Sequence, residues 1–397
     1  MNASYKVVIV GGGTAGISVA ARLLRQSNSL AEKIAIIDPA DKHYYQPLWT
    51  LVGGGASKKE DSERTMESVI PKGAVWLQTA VAEFSPESKY VVTNDGQTIG
   101  YDYLVVASGI EINWGGIKGL KESLGTKQVC SNYSYQHVDY TWETIRSFKG
   151  GTALFTHPAS PVKCGGAPQK IMYLAEDYFT RAGVRNSTNV VFQSANPAIF
   201  DVQKYREALE KVVVRKNIQA NFRKNLIEIK PDEKIAIFED LDTQEKEEVA
   251  YSMIHVTPLM QAPSFIKNSP LADETGWVDV HQYTLQHNRY KNVFGLGDNA
   301  NLPTSKTGAA IRKQAPVVAN NIISLMRSIP MKESYDGYSS CPIVTGYNKL
   351  ILAEFDYNKD PQETMPFNQA VERRSMYMMK KDMLPIMYWN GMLKGTM

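Results

Sequence analysis

Short apolar runs that stop at glycine punctuate the first part of the chain. Tyr5–Val10 is one such run, closed by Gly11, and it predicts a strand buried in a sheet covered on both faces. Ile17–Arg25 then repeats apolar positions at helical spacing, and Lys33–Ile37 is a second buried-strand run that ends at Asp38. Strand, helix and strand in this order predict a βαβ unit. Its first turn reads Gly11-Gly12-Gly13-Thr14-Ala15-Gly16, so Gly11, Gly13 and Gly16 satisfy G-x-G-x-x-G, and Asp38 follows the last of them by 22 residues. A lone glycine pattern is weak, but here every flanking element is in place. The glycines let the backbone approach a pyrophosphate, the helix start at Thr14 and Ala15 offers free N–H groups and positive potential, and Asp38 can bond ribose hydroxyls.

Tyr101–Gly109 is another buried-strand run, closing on Ser108-Gly109, and Val293–Asp298 is a late one, closing on Gly297-Asp298. This succession resembles the flavoproteins with two dinucleotide-binding domains, among them disulfide reductases and NADH:quinone dehydrogenases. The resemblance implies an α/β fold with two Rossmann-like domains. Residues 1–110 and 285–330 would form the FAD domain, 111–284 the second domain, and 331–397 a C-terminal segment. It also implies FAD as cofactor, with Asp298 on the ribityl chain. Thr152–Thr156 predicts the first strand of the second domain, where a pyridine-nucleotide enzyme would show another glycine fingerprint. The chain instead reads His157-Pro-Ala-Ser-Pro-Val-Lys-Cys164-Gly-Gly-Ala-Pro168. Pro158 and Pro161 do not suit a tight pyrophosphate turn, which argues against NAD(P)H.

At 397 residues, 43% apolar and 21% charged, the chain is long enough for two or three domains of ordinary globular composition. No stretch reaches the ~18 consecutive apolar residues of a membrane span. The chain enters its first strand directly after Met-Asn-Ala-Ser, so the expectation is no leader and a cytoplasmic location. A net charge of +3 gives no reason to expect a nucleic-acid partner. That excess sits in residues 371–397, where Arg373, Arg374, Lys380, Lys381 and Lys394 outnumber Glu372 and Asp382. The same segment holds seven of the fifteen methionines, with Tyr377, Tyr388 and Trp389. Pro385 predicts a break into two short helices. Apolar bodies with basic flanks fit helices lying on a membrane surface, on the cytoplasmic face. The plainer alternative is packing on the protein itself or on a second copy in a homodimer.

Three cysteines, Cys130, Cys164 and Cys341, show no CxxC spacing, and the histidines form no ligand pair, so no metal site is expected. Cys164 directly precedes Gly165-Gly166-Ala167-Pro168 and a predicted helix over Gln169–Phe179, and a helix N-terminus lowers a thiol pKa. Lys163 is its neighbour in sequence. Cys341 falls in Asp336-Gly-Tyr-Ser-Ser-Cys341-Pro342, read as an irregular loop. The segments PVKCGGAPQKIMYLAE, NLPTSKTGAA, DGYSSCPIVTGYNKLILAEFDY, HYYQPLWTLVGGGA and LPIMYWNGMLKG resemble sulfide:quinone oxidoreductases of the mitochondrial-type branch, essentially end to end. The resemblance implies Cys164 and Cys341 as a redox pair that is opened by hydrosulfide. One cysteine is left as a persulfide and the other as a thiolate that passes two electrons to FAD. Cys164 would be the flavin-facing thiolate and Cys341 the persulfide carrier. A small thiol, sulfite or a second sulfide would take the sulfane sulfur, and membrane ubiquinone or menaquinone the electrons. It also implies flavin contacts at Gln46, Val81, Gly109, Lys306 and Thr307, with the Lys306 ammonium where charge develops on reduction. His43, beside Gln46, reads equally as structural. Cys130 departs from the branch and reads as a packed thiol. Two rivals stay open: an NADH:quinone dehydrogenase-like enzyme, and a non-catalytic flavin-based sulfide sensor.

Overall fold

A computed structural model describes residues 3–397. The strand Ala3–Val10 runs parallel to Ile34–Ile37 on one side and to Thr98–Val106 on the other, and Ala74–Leu77 extends the sheet beyond Ile34–Ile37. Val7, Val8 and Ile9 have no solvent exposure, as a strand with both faces covered requires. The far edge of Thr98–Val106 is shared. Its first half continues the antiparallel meander with Tyr90–Thr93 and Val81–Ser85, and its second half pairs in parallel with Val293–Gly295. A strand nearly two hundred positions later thus completes the first sheet. The helices Thr14–Gln26 and Gly308–Met326 pack together as well.

A second parallel sheet takes Val129–Cys130, Met253–His255, Gly151–His157, Thr188–Ser194 and Gln219–Phe222 in spatial order. The antiparallel strands Lys224–Lys230, Ile235–Asp240 and Lys246–Ala250 form a separate sheet. The strand Gly151–His157 and the helix Ala167–Arg181 occupy the positions where the first sheet has its glycine turn. Residues 158–166 join them as a longer loop, in line with the prolines of that segment.

Cys341 is not in an irregular loop. It lies in the strand Ser339–Gly346, paired with Ala353 of the antiparallel strand Lys349–Phe355. Pro342 is tolerated because this is a two-stranded ribbon, in which each strand has a free edge that needs no donor. The ribbon packs on the helix Ala167–Arg181.

The tail also departs from expectation. The chain stays helical from Arg374 to Asn390: a short α-helix over Arg374–Met378, a π segment over Met379–Met383, and an α-helix over Leu384–Asn390. Pro385 falls in the first turn of that last helix, where its missing N–H is tolerated, so no break follows. Much of the tail is packed on the first domain. Met376, Tyr377, Lys380, Tyr388, Met392 and Leu393 are buried. The guanidinium of Arg22 donates to the Met397 carbonyl.

Candidate active site

The glycine turn is built as its pattern demands. Gly11 has φ +108°, and a side chain there would drive into the Ala107 carbonyl at 2.4 Å. At Gly16 an added Cβ would lie 1.9 Å from the Gly11 carbonyl. Gly13, Gly109 and Gly308 instead face open space. The helix Thr14–Gln26 has no side-chain cap, so its first N–H groups point into that opening. Asp38 accepts from the Gly12 N–H at 2.6 Å and the Ala40 N–H at 2.8 Å. Burial holds its carboxyl above the usual range. Ser108 Oγ, beside Gly109 in sequence and with its Cα against Gly11, is buried without a partner. Among the described residues no protein donor reaches the Asp298 carboxylate, whose pKa is raised by burial and opposed by Lys163 and Lys306. Bare backbone, a free helix start and unpartnered polar groups suit a dinucleotide with hydroxyl donors, so these residues fit FAD.

Three other predicted contacts are qualified by their surroundings. The Thr307 hydroxyl caps the helix Gly308–Met326 by accepting from the Ala310 N–H and also pairs with Ser339 Oγ. Only its backbone is free to meet a ligand. Val81 opens the strand Val81–Ser85 with its side chain in the core. The Lys306 ammonium donates to the Asp298 and Ala300 carbonyls at 2.7 and 3.1 Å and lies 3.9 Å from the Trp277 ring centroid. Burial lowers its pKa to about 8.

The sulfurs of Cys164 and Cys341 stand 3.4 Å apart as free thiols. That is contact distance, close enough for a bridge of ~2.05 Å to form with little movement. Cys164 sits in the loop before the helix Ala167–Arg181 with φ +56°, a left-handed conformation rare for a residue with a side chain. Such strain concentrates at functional sites. It is held by two backbone bonds, Cys164 N–H to the Lys306 carbonyl and Ala167 N–H to the Cys164 carbonyl. The segment around Lys306 therefore positions Cys164. Cys164 keeps partial access and Cys341 is fully buried.

Lys163, the neighbour of Cys164 in sequence, turns away from the sulfur. Its ammonium donates to Gln46 Oε1 at 2.8 Å, bringing Gln46 beside the cysteine loop. The cation on the sulfur is Lys170, at 3.3 Å from Cys164 Sγ and itself buried. Hydrogen bonding from Cys341 and the charge of Lys170 together hold the Cys164 thiol well below its ordinary pKa. Cys341, beside that thiolate and buried, is pushed up. Lys380 comes from the tail. It was counted above as a membrane-facing cation, but it is buried, donates to the Pro47 carbonyl at 3.1 Å, and has its pKa lowered to about 7 by burial and by Lys170. Cys130 lies elsewhere, buried in the second domain with its pKa raised to about 12 by burial. Its Sγ donates to the Ile254 carbonyl.

The model of the family "Pyridine nucleotide-disulphide oxidoreductase" matches residues 5–142. The mitochondrial sulfide:quinone oxidoreductase of Mus musculus is 48% identical over 392 residues, covering 98% of this chain and 87% of that protein. That of Dictyostelium discoideum is 50% identical over 392 residues, covering 98% and 86%. The chain belongs to the sulfide:quinone oxidoreductases. The solved sulfide:quinone oxidoreductase of Aquifex aeolicus has the same fold, with TM-score 0.85 at 21% identity over 99% of this chain and 92% of that one. The family is FAD-dependent.

For a sulfide:quinone oxidoreductase the sequence reading missed two groups beside the sulfurs, Lys170 and Lys380. Lys170 had one signal, its place in the first turn of the helix that follows Cys164. Lys380 had none, because only the π turn at Met379–Met383 aims it inward. His43 is buried and structural in its contacts: it joins the Gly12 carbonyl to the Tyr388 hydroxyl, tying the phosphate turn to the tail.

Proposed function

We propose that this chain oxidises sulfide at Cys164 and Cys341, delivers two electrons through FAD to a membrane quinone, and passes sulfane sulfur to a small acceptor. The observation that carries the reading is the Cys164–Cys341 pair with the Lys170 ammonium on Cys164. In the oxidised pair, hydrosulfide attacks Cys341 Sγ, the S–S bond breaks, and Cys341 becomes a persulfide while Cys164 leaves as a thiolate. Lys170 supports this direction, since its charge stabilises the thiolate on the leaving sulfur and so makes it the better leaving group. Cys164 is the partly accessible sulfur of the pair, its N–H bonds the Lys306 carbonyl and its neighbour Lys163 bonds Gln46, which supports Cys164 as the flavin-facing sulfur. A thiol, sulfite or a second sulfide attacks the outer persulfide sulfur and carries it off, leaving the Cys341 thiol beside the Cys164 thiolate. FAD, when bound, would supply the two-electron acceptor that oxidises this dithiol back to the disulfide.

The tail is proposed as the docking face of a peripheral enzyme, on the cytoplasmic side. Among the described residues no helix is long and apolar enough to cross a membrane. Val371, Met378, Met383 and Ile386 are 42–61% exposed, which supports a shallow apolar contact. The test is steady-state turnover of sulfide with a soluble short-chain quinone, with and without sulfite. Turnover that needs both sulfide and quinone, and that sulfite accelerates, fits the proposal. Flavin reduction without multiple turnover would favour a sensor.

A further inference from the structure

A groove of ≈ 560 Å³ opens where the tail meets the far end of the helix Ala167–Arg181. The aromatic rings of Trp142, Tyr178, Tyr347 and Tyr377 line it, with two cations, Arg181 and Lys381. Nothing in the sulfide chemistry described above uses these six side chains. The cysteine pair lies near the opposite end of that helix, on the order of 20 Å away at 1.5 Å rise per residue.

The charges in the groove are incompletely answered. Arg181 reaches Asp177 at only 3.4 Å, and the same Asp177 oxygen already accepts from the Tyr347 N–H at 2.6 Å. The Arg181 guanidinium instead stacks 4.4 Å over the Tyr347 ring and stays half exposed. Lys381 has no ion pair among the described residues. Asp382, its neighbour in sequence, is exposed. Met378 lines the groove and is itself 42% exposed. The π turn joins residues five apart, so Met378 and Met383 fall near one line, and Ile386 continues it one α-turn on. The groove therefore opens onto the exposed apolar stripe of the tail.

We infer that this groove seats the phosphate of an anionic phospholipid, with Arg181 and Lys381 as its cations. The inference rests on the docking role proposed for the tail. Aromatic rings and basic side chains next to a shallow apolar surface are what a membrane interface selects, and the cations set a preference for negative headgroups. At about 1 kcal/mol for each cation near an anionic surface, loss of both corresponds to roughly thirty-fold in affinity.

The experiment is co-sedimentation of the FAD-loaded full chain with vesicles of neutral phosphatidylcholine and with vesicles containing anionic phosphatidylglycerol. Wild type should bind the anionic vesicles at least ten-fold more tightly, and salt should weaken this. The double variant Arg181→Gln/Lys381→Gln should lose most of that preference while keeping its weak binding to neutral vesicles and normal flavin reduction by sulfide. A second variant, Met383→Ser/Ile386→Ser, should lose binding to both. If the first variant keeps the full anionic preference while the second loses binding, the docking role stands and the headgroup site is overturned. If both variants bind as wild type, the docking role itself is overturned. Loss of quinone reduction by the first variant with a short-chain quinone in vesicle-free solution would show that the groove serves the quinone rather than a lipid.

Discussion

Replacing Lys170 by methionine removes a buried ammonium 3.3 Å from Cys164 Sγ while keeping most of the side-chain volume. A hydrogen bond to a charged group is worth roughly 1.5–3 kcal/mol. At about 1.4 kcal/mol per pKa unit, the Cys164 thiol should rise by about one to two units in the variant. Lys380 remains close and limits the change. The assay is alkylation of the dithiol protein with iodoacetamide over a pH series, read for each cysteine peptide by mass spectrometry. In the wild type Cys164 should react at pH values well below those of an ordinary thiol. In the variant it should react roughly ten- to a hundred-fold more slowly at the pH where the wild-type thiol is already ionised. Cys130, with its pKa raised to about 12 in the core, should stay unlabelled and serves as the internal control. An unchanged Cys164 profile, or a shift in Cys341 instead, would refute the assignment of Lys170 as the group that holds the Cys164 thiolate.

Cys164→Ser and Cys341→Ser should each retain FAD and lose sulfide-dependent flavin reduction, whereas Cys130→Ser should keep most of it; stopped-flow absorbance decides. Asp298→Ala should retain FAD more weakly by roughly 1–3 kcal/mol, because an otherwise unpartnered carboxylate is lost from a bond to the cofactor, and flavin release on dilution measures this. Burial lowers the pKa of His43 and His157 to about 4 and of His255 to about 3. Below pH 6.5 the unfolded chain takes up protons that these native imidazoles refuse, so stability is full above that pH and falls on acidification. The fall should approach about 1.4 kcal/mol per pH unit for each histidine and should cease below pH 4 for His43 and His157. Urea unfolding at pH 7, 6 and 5 checks the sign, and equal stability across that series would contradict it.

The first domain was legible because its signals are local. A buried strand, a glycine turn with no room for side chains and an acidic residue at the next strand end all lie within forty residues. The longer loop between Gly151–His157 and Ala167–Arg181 was legible for the same reason, since Pro158 and Pro161 stand in it. The environment of the thiols was not. Lys163 is next to Cys164 in sequence, but the left-handed backbone at Cys164 and the short bridge of the loop to Lys306 direct it to Gln46. Lys170 takes the position at the sulfur from the helix. Cys341 read as loop because proline and serine surround it, yet pairing with Lys349–Phe355 makes it a strand. In the tail, composition suggested two broken amphipathic helices. A π turn keeps the helix continuous, buries Lys380 at the thiols and leaves Met378, Met383 and Ile386 outside. Neither register shifts of this kind nor tertiary partners leave a mark in hydrophobic periodicity.

The central claim is that electrons enter from sulfide through Cys164 and Cys341. Its most direct test is anaerobic mixing of the FAD-loaded protein with sulfide, followed in the flavin absorbance near 450 nm at about one sulfide per flavin. The account predicts rapid bleaching by sulfide, no bleaching by NADH, and recovery of the oxidised spectrum on adding a quinone. Bleaching by NADH with no response to sulfide, or bleaching by sulfide that survives in Cys164→Ser, would contradict it.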